Sequence, residues 1–205
     1  MAGEGQAAAI AETAATLYAV ADNAGQESAG VELITFKGFG GVRLQAEVSG
    51  DEHDPAVLLV HGAGQTRTMW AQVATALVES GRRVVNLDLR GHGGSEWPAD
   101  GRYDLDAHVD DLRAVLAQMA SRPVVVAATL GGWIATAALA TDAANLAAGL
   151  VLVDMPARSD ADTLKDIAAR LEAAGDGQRQ WDERAVANLP LGDIADRLAA
   201  AAPAI

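Results

Sequence analysis

Pro123-Val124-Val125-Val126-Ala127-Ala128-Thr129-Leu130-Gly131-Gly132-Trp133 is the stretch on which the fold turns. Three consecutive β-branched residues form a run too short for a helix and apolar on both faces, which predicts a strand buried on both sides. The chain then passes through small residues on either side of Thr129 and resumes with helical character. A strand must therefore enter a tight turn and leave it as a helix, with one hydroxyl at the apex.

Working outward, the same unit recurs. Short apolar runs at 57–60, 84–87, 124–126 and 150–153 are separated by segments with helical spacing. One carries Trp70, Val73, Ala74, Leu77 and Val78 and stops at Gly81; another carries Leu105, Val109, Leu112, Leu116 and Met119. Apolar runs without alternation, joined by helices, predict a mostly parallel sheet with helices on both faces, an α/β architecture. Before it, Val42, Leu44, Ala46 and Val48 alternate with Arg43, Gln45 and Glu47, the period of a half-buried strand. Gly38-Phe39-Gly40-Gly41 is then the turn of an N-terminal β-hairpin, and six strands are expected in all. Those glycines precede a strand rather than open a helix, and they miss the G-x-G-x-x-G spacing, so a dinucleotide-binding loop is rejected.

Composition narrows the function. At 205 residues with half of them hydrophobic, the chain can bury one full core. A net charge of -13 argues against nucleic acid, whose phosphates require clustered Lys and Arg. With no cysteine, disulfides, thiolate catalysis and Cys-ligated metals are excluded. Residues 1–36 contain no Lys or Arg, so the basic start of a secretory signal is missing there and a cytoplasmic protein is expected. No apolar run approaches the roughly 20 residues of a bilayer span, and no membrane partner is expected. Neither a metal-binding H-x-x-x-H or H-E-x-x-H spacing nor a G-x-x-x-x-G-K-[ST] phosphate loop occurs, and no cofactor is expected. Residues 6–21 place Ile10, Ala14, Leu17 and Ala21 at helical spacing and stop at Asp22-Asn23-Ala24-Gly25, which marks 1–30 as an N-terminal helical extension.

Four segments in order then carry a family resemblance. Leu58-Leu59-Val60-His61-Gly62-Ala63-Gly64 resembles the H-G loop after the third strand of α/β-hydrolases. Asp88-Leu89-Arg90-Gly91-His92-Gly93-Gly94-Ser95 resembles their D-x-R-G-x-G-x-S turn after the fourth. The stretch around Thr129 resembles the G-x-S-x-G nucleophile elbow, with Ala127 for the first Gly and Thr129 for the Ser. Gly149-Leu150-Val151-Leu152-Val153-Asp154 resembles the sixth strand with its terminal acid. Together they span 42–155, so 31–156 is read as the hydrolase-type core and 157–205 as an incomplete helical lid-like segment.

The resemblance implies a cofactor-independent hydrolase of small ester- or amide-like substrates, esterase-like. Thr129 takes the nucleophile position, and the backbone N–H groups of Ala63 and Leu130 form an oxyanion hole, each donor worth roughly 2.7–4 kcal/mol in a dry site. Asp154 is the candidate acid, with a capping role as the alternative. A β-branched residue at the positive φ of an elbow is strained by on the order of 1–3 kcal/mol. Two readings of Thr129 stay open: a threonine nucleophile, or a degenerate elbow in a module that binds an apolar ligand or partner without turnover.

Histidine placement bears on that choice. The family order is nucleophile, acid, His, and no His follows His108. His61 and His92 are expected to be structural residues of their loops, His108 to lie at the surface or boundary of its helix, and His53 to sit in a polar loop. Asp88 and Arg90 are expected to tie down their glycine-rich turn, and Trp70 and Trp133 to lie in the core. The resemblance also implies eight strands where six are found. The chain is accordingly expected to be a fragment or a truncated paralogue, or else to cover the apolar sixth strand with residues from 157 onward or with a second chain, so that self-association through that edge is expected.

Overall fold

The computed structural model describes residues 30–140 and 143–154, with the side chains of 143 and 144 excepted. The extension expected over 1–30 and the lid-like segment expected over 157–205 lie outside the described residues, apart from Gly30.

Six strands form one sheet: β1 (Glu32–Lys37), β2 (Arg43–Ser49), β3 (Ala56–Val60), β4 (Arg83–Leu87), β5 (Val124–Ala128) and β6 (Gly149–Val153), in the order β1-β2-β4-β3-β5-β6. The hairpin β1–β2 is antiparallel through a 3-10 turn at Phe39–Gly41, and β2 pairs antiparallel with β4. The pairs β3–β4, β3–β5 and β5–β6 are parallel. Parallel neighbours need long crossovers, here supplied by α1 (Ala71–Glu79), α2 (Leu105–Gln118) and α3 (Thr129–Leu139), with a single turn α4 (Ala143–Leu146) before β6. The expected α/β-hydrolase-type sheet with an N-terminal hairpin is thus present.

The period of two in β3 divides the core. Val57 and Leu59 join Trp70 and Leu77 on one face, with α1. Leu58 and Val60 join Leu112, Trp133 and Ile134 on the other, with α2 and α3. Every residue of β3 and β5 is buried, which is why neither strand alternates with polar residues. Trp70 and Trp133 are core residues, as expected. β6 ends the described sheet, and its Leu152 is 44% exposed. No helix among the described residues is long and apolar enough to cross a membrane.

Asp104 starts α2 by accepting the Ala107 N–H at 2.9 Å, so one orphan donor of the first turn is satisfied. The apolar stripe of this helix runs through Leu105, Val109, Leu112 and Leu116, and His108 lies on it, one turn from Leu105 and Leu112. His108 is 1% exposed, not at the surface or boundary. Its polarity suggested a surface position, but helical spacing, three residues after Leu105 and four before Leu112, decides which face it occupies.

A buried charge pair ties this helix to the hairpin. Arg90 Nε donates to Asp111 Oδ2 at 2.5 Å and Nη2 to Oδ1 at 2.7 Å, while Nη1 reaches the Arg102 carbonyl at 2.8 Å. Asp111 Oδ1 also accepts the Phe39 N–H of the hairpin turn at 2.7 Å. Removing one member of such a pair leaves the other buried and unpaired, a loss of roughly 3–5 kcal/mol. Asp111→Ala is therefore expected to lower the urea unfolding midpoint by that equivalent, and the double change Arg90→Met, Asp111→Leu to recover much of it.

Candidate functional site

The connections leaving β3 and β5 go to opposite faces, α1 to one and α3 to the other. Where neighbouring parallel strands diverge in this way, a crevice opens beyond their carboxyl ends. The loop from His61 and the turn at Thr129 meet there.

Thr129 has φ 43°, the left-handed conformation that a sharp strand-to-helix turn imposes. Gly131 lets α3 sit directly on β3, since a Cβ there would lie 2.5 Å from the His61 carbonyl oxygen. The Thr129 hydroxyl closes over Gly62: a Cβ on Gly62 would lie 2.0 Å from Thr129 Oγ1 and 2.6 Å from Gln65 Oε1. Any larger residue at 62 would force the Thr129 and Gln65 side chains to move. Thr129 is half-buried, and its hydroxyl makes no hydrogen bond among the described residues.

The N–H groups of residues 62–65 can be followed one by one. Gly62 N–H is accepted by Gln65 Oε1 at 3.0 Å, Gly64 N–H by His92 Nε2 at 3.3 Å, and Gln65 N–H by the Gly62 carbonyl at 3.3 Å. Among the described residues, Ala63 N–H alone of the four has no acceptor. Across the crevice Leu130 is the second residue of α3, where an N–H has no intrahelical acceptor, and Ala128 supplies no side-chain cap. The two backbone donors expected from the sequence thus have no acceptor among the described residues.

Asp88 holds the supporting loops together. Its fully buried carboxylate accepts the Arg67 N–H at 2.7 Å, the Gly94 N–H at 2.8 Å and the Arg67 guanidinium. Arg67 also reaches Glu47 at 2.9 Å, and its carbonyl accepts from Asn86 at 2.9 Å. Ser95 lays the loop along β2, donating to the Asp88 carbonyl at 2.6 Å and accepting the Gln45 N–H at 2.9 Å. Asp88 and Arg90 thus fix their loop, as expected.

The histidines stand as follows. His61 Nε2 accepts the Leu89 N–H at 3.0 Å, so its proton is on Nδ1, donated to the Gly62 carbonyl at 2.7 Å. His92 Nδ1 likewise donates to the Arg90 carbonyl at 2.9 Å. The two rings lie 5.0 Å apart. Both are structural, as expected. His108 is buried with neither ring nitrogen hydrogen-bonded among the described residues, and His53 is exposed in the β2–β3 loop, at the opposite end of the sheet from the crevice. None of the chain's four imidazoles is hydrogen-bonded to the Thr129 hydroxyl.

Asp154 is brought close by register. Ala128 pairs with Val153, so Thr129 and Asp154 are the next residues on adjacent strands, and both have positive φ, 43° and 52°. The Asp154 side chain is exposed and makes no hydrogen bond among the described residues. Gln65 was given no role by sequence; its place three residues after Gly62, where a side chain can close a turn onto the first N–H, is the signal that could have found it.

A model of the α/β hydrolase fold matches residues 55–198. The chain belongs to that family. An esterase of Mycobacterium tuberculosis is 38% identical to this hydrolase-fold chain over 102 residues, 49% of this chain and 33% of the esterase. An sn-1-specific diacylglycerol lipase of Mus musculus is 34% identical over 110 residues, 53% of this chain and 35% of the lipase. The structure of an α/β hydrolase from Novosphingobium aromaticivorans superposes with a TM-score of 0.62 at 28% identity, covering 70% of this chain and 50% of that one. The chain spans about a third of the length of these two curated relatives.

Burial and the field of His92 lower the His61 pKa from its ordinary 6.5 to about 3, and burial with the fields of His92 and Arg90 lowers that of His108 well below 6.5. The unfolded chain binds these protons near 6.5 and the folded one does not, so stability falls as pH drops below about 6.5. Each group contributes up to about 1.4 kcal/mol per pH unit. Urea titrations between pH 7 and 5 should show the decline, and His108→Leu should remove one histidine's share of the slope.

Proposed function

We propose that the crevice between the His61–Gln65 loop and Thr129 is an acyl site of hydrolase type, for small ester- or amide-like substrates, working without a cofactor. What carries this reading is Thr129 itself: a non-glycine residue at φ 43° with its hydroxyl lodged on Gly62, each of the two residues that follow Gly62 and Thr129 in the chain having a backbone N–H without an acceptor among the described residues. In this reading the Thr129 hydroxyl attacks the acyl carbon. The carbonyl oxygen, gaining negative charge, is received by Ala63 and Leu130 N–H, and Asp154 is the acid by its place beside Thr129.

Attack also requires a base to take the hydroxyl proton, and none of the chain's four histidines is hydrogen-bonded to the Thr129 hydroxyl. This favours impaired turnover in this chain. It also supports a second reading, a hydrolase-fold module that keeps the pocket for an acyl or apolar ligand without catalysis.

A fluorophosphonate probe separates the two. The Thr form is expected to label slowly or not at all, Thr129→Ser to label faster, and Thr129→Ala to remain blank. Faster labelling of the Ser form would support an intact acyl site with a hindered nucleophile. A silent Ser form would overturn hydrolysis by this chain and leave the binding module.

A further inference from the structure

The turn at residues 62–65 is closed twice. Its backbone closes through Gln65 N–H to the Gly62 carbonyl, and its side chain closes in the reverse direction, Gln65 Oε1 accepting the Gly62 N–H at 3.0 Å. Such reciprocal closure satisfies both polar groups of Gly62 within four residues: the side chain holds the His61–Gly62 peptide by its N–H, and the backbone bond, with His61 Nδ1, holds the Gly62–Ala63 peptide by its carbonyl. Gln65 is exposed, so core packing does not hold its side chain there. The same carboxamide oxygen approaches the spot occupied by Thr129 Oγ1, the two closing on one point above the Gly62 Cα. The Gly62 N–H also fixes which way the amide faces: Oε1 is the acceptor, and the Nε2 donors are turned away from that bond.

We propose that Gln65 is the positioning residue of this site: its carboxamide occupies the Gly62 N–H while its backbone N–H holds the Gly62 carbonyl, so that Ala63 N–H is the one donor this loop presents toward the Thr129 hydroxyl. This deepens the acyl-site reading and rests on it. Without the carboxamide, the Gly62 N–H would be released as a rival donor and the His61–Gly62 peptide leading into Ala63 would lose its anchor, and displacement of a catalytic group by about 1 Å can lower a rate on the order of 100-fold. A carboxylate at 65 would keep an acceptor for Gly62 N–H but would put negative charge beside the Thr129 hydroxyl, where attack itself builds negative charge.

The test uses the full chain carrying Thr129→Ser, with Gln65→Ala and Gln65→Glu added separately. Two readouts are taken, fluorophosphonate labelling rate and amide hydrogen exchange at Gly62. Gln65→Ala should speed exchange at Gly62 and slow labelling on the order of 10- to 100-fold. Gln65→Glu should keep Gly62 protected and yet slow labelling, a split that a purely structural role would not produce. Unchanged Gly62 exchange in Gln65→Ala, or a labelling rate indifferent to both changes, would overturn the proposal. If Thr129→Ser itself does not label, the acyl-site reading fails separately, and the exchange result still decides whether the Gln65 carboxamide holds the Gly62 N–H.

Discussion

Everything at the carboxyl end of the sheet depends on one buried carboxylate. Asp88 leaves β4 with no exposure to water, and burying a charge is tolerable only when donors surround it. Arg67 supplies two of them, from its backbone and its guanidinium, and Gly94 a third. The loops after β3 and β4 are thereby fastened to one another, and Glu47 extends the network to β2. Because the Thr129 hydroxyl rests on Gly62 at the start of the first of these loops, its setting is determined by a charge two strands away in the sheet order.

Much of this could be read from the sequence, for identifiable reasons. Strands β3 to β6 declare themselves because a parallel sheet buried on both faces needs unbroken apolar runs, and β2 because one of its faces meets water. The left-handed conformation of Thr129 follows from a strand that turns at once into a helix between small residues. The positions of Ala63 and Leu130 follow from the same motif. What stayed hidden are contacts between residues far apart in the chain. Arg90 and Asp111 are each ordinary locally, and nothing in periodicity announces that they meet. His108 is buried although its polarity suggests a surface position, because helical phase decides which face of the helix it occupies.

Two of the three buried imidazoles show how histidine can serve backbone architecture. A neutral ring can accept an N–H on one side and donate to a carbonyl on the other, which His61 does between Leu89 and Gly62, and His92 between Gly64 and Arg90. A ring engaged at both nitrogens has no free lone pair with which to take a proton from a nucleophile. The residues that make the loop rigid are thus the ones withdrawn from acid–base chemistry. Burial of His61 and His108 reinforces this, holding them neutral well into the acid range.

The turn at 62–65 selects its exposed donor by elimination. Three of its four N–H groups are occupied, so the fourth is defined by the engagement of its neighbours rather than by any feature of its own. A change that disengages a neighbour therefore leaves the loop with a rival donor a few ångströms from the intended one. A bound oxyanion would then have two alternative docking registers, only one of them aligned with the hydroxyl. Damage to such a loop would show first as misplacement of the ligand, before any loss of its binding.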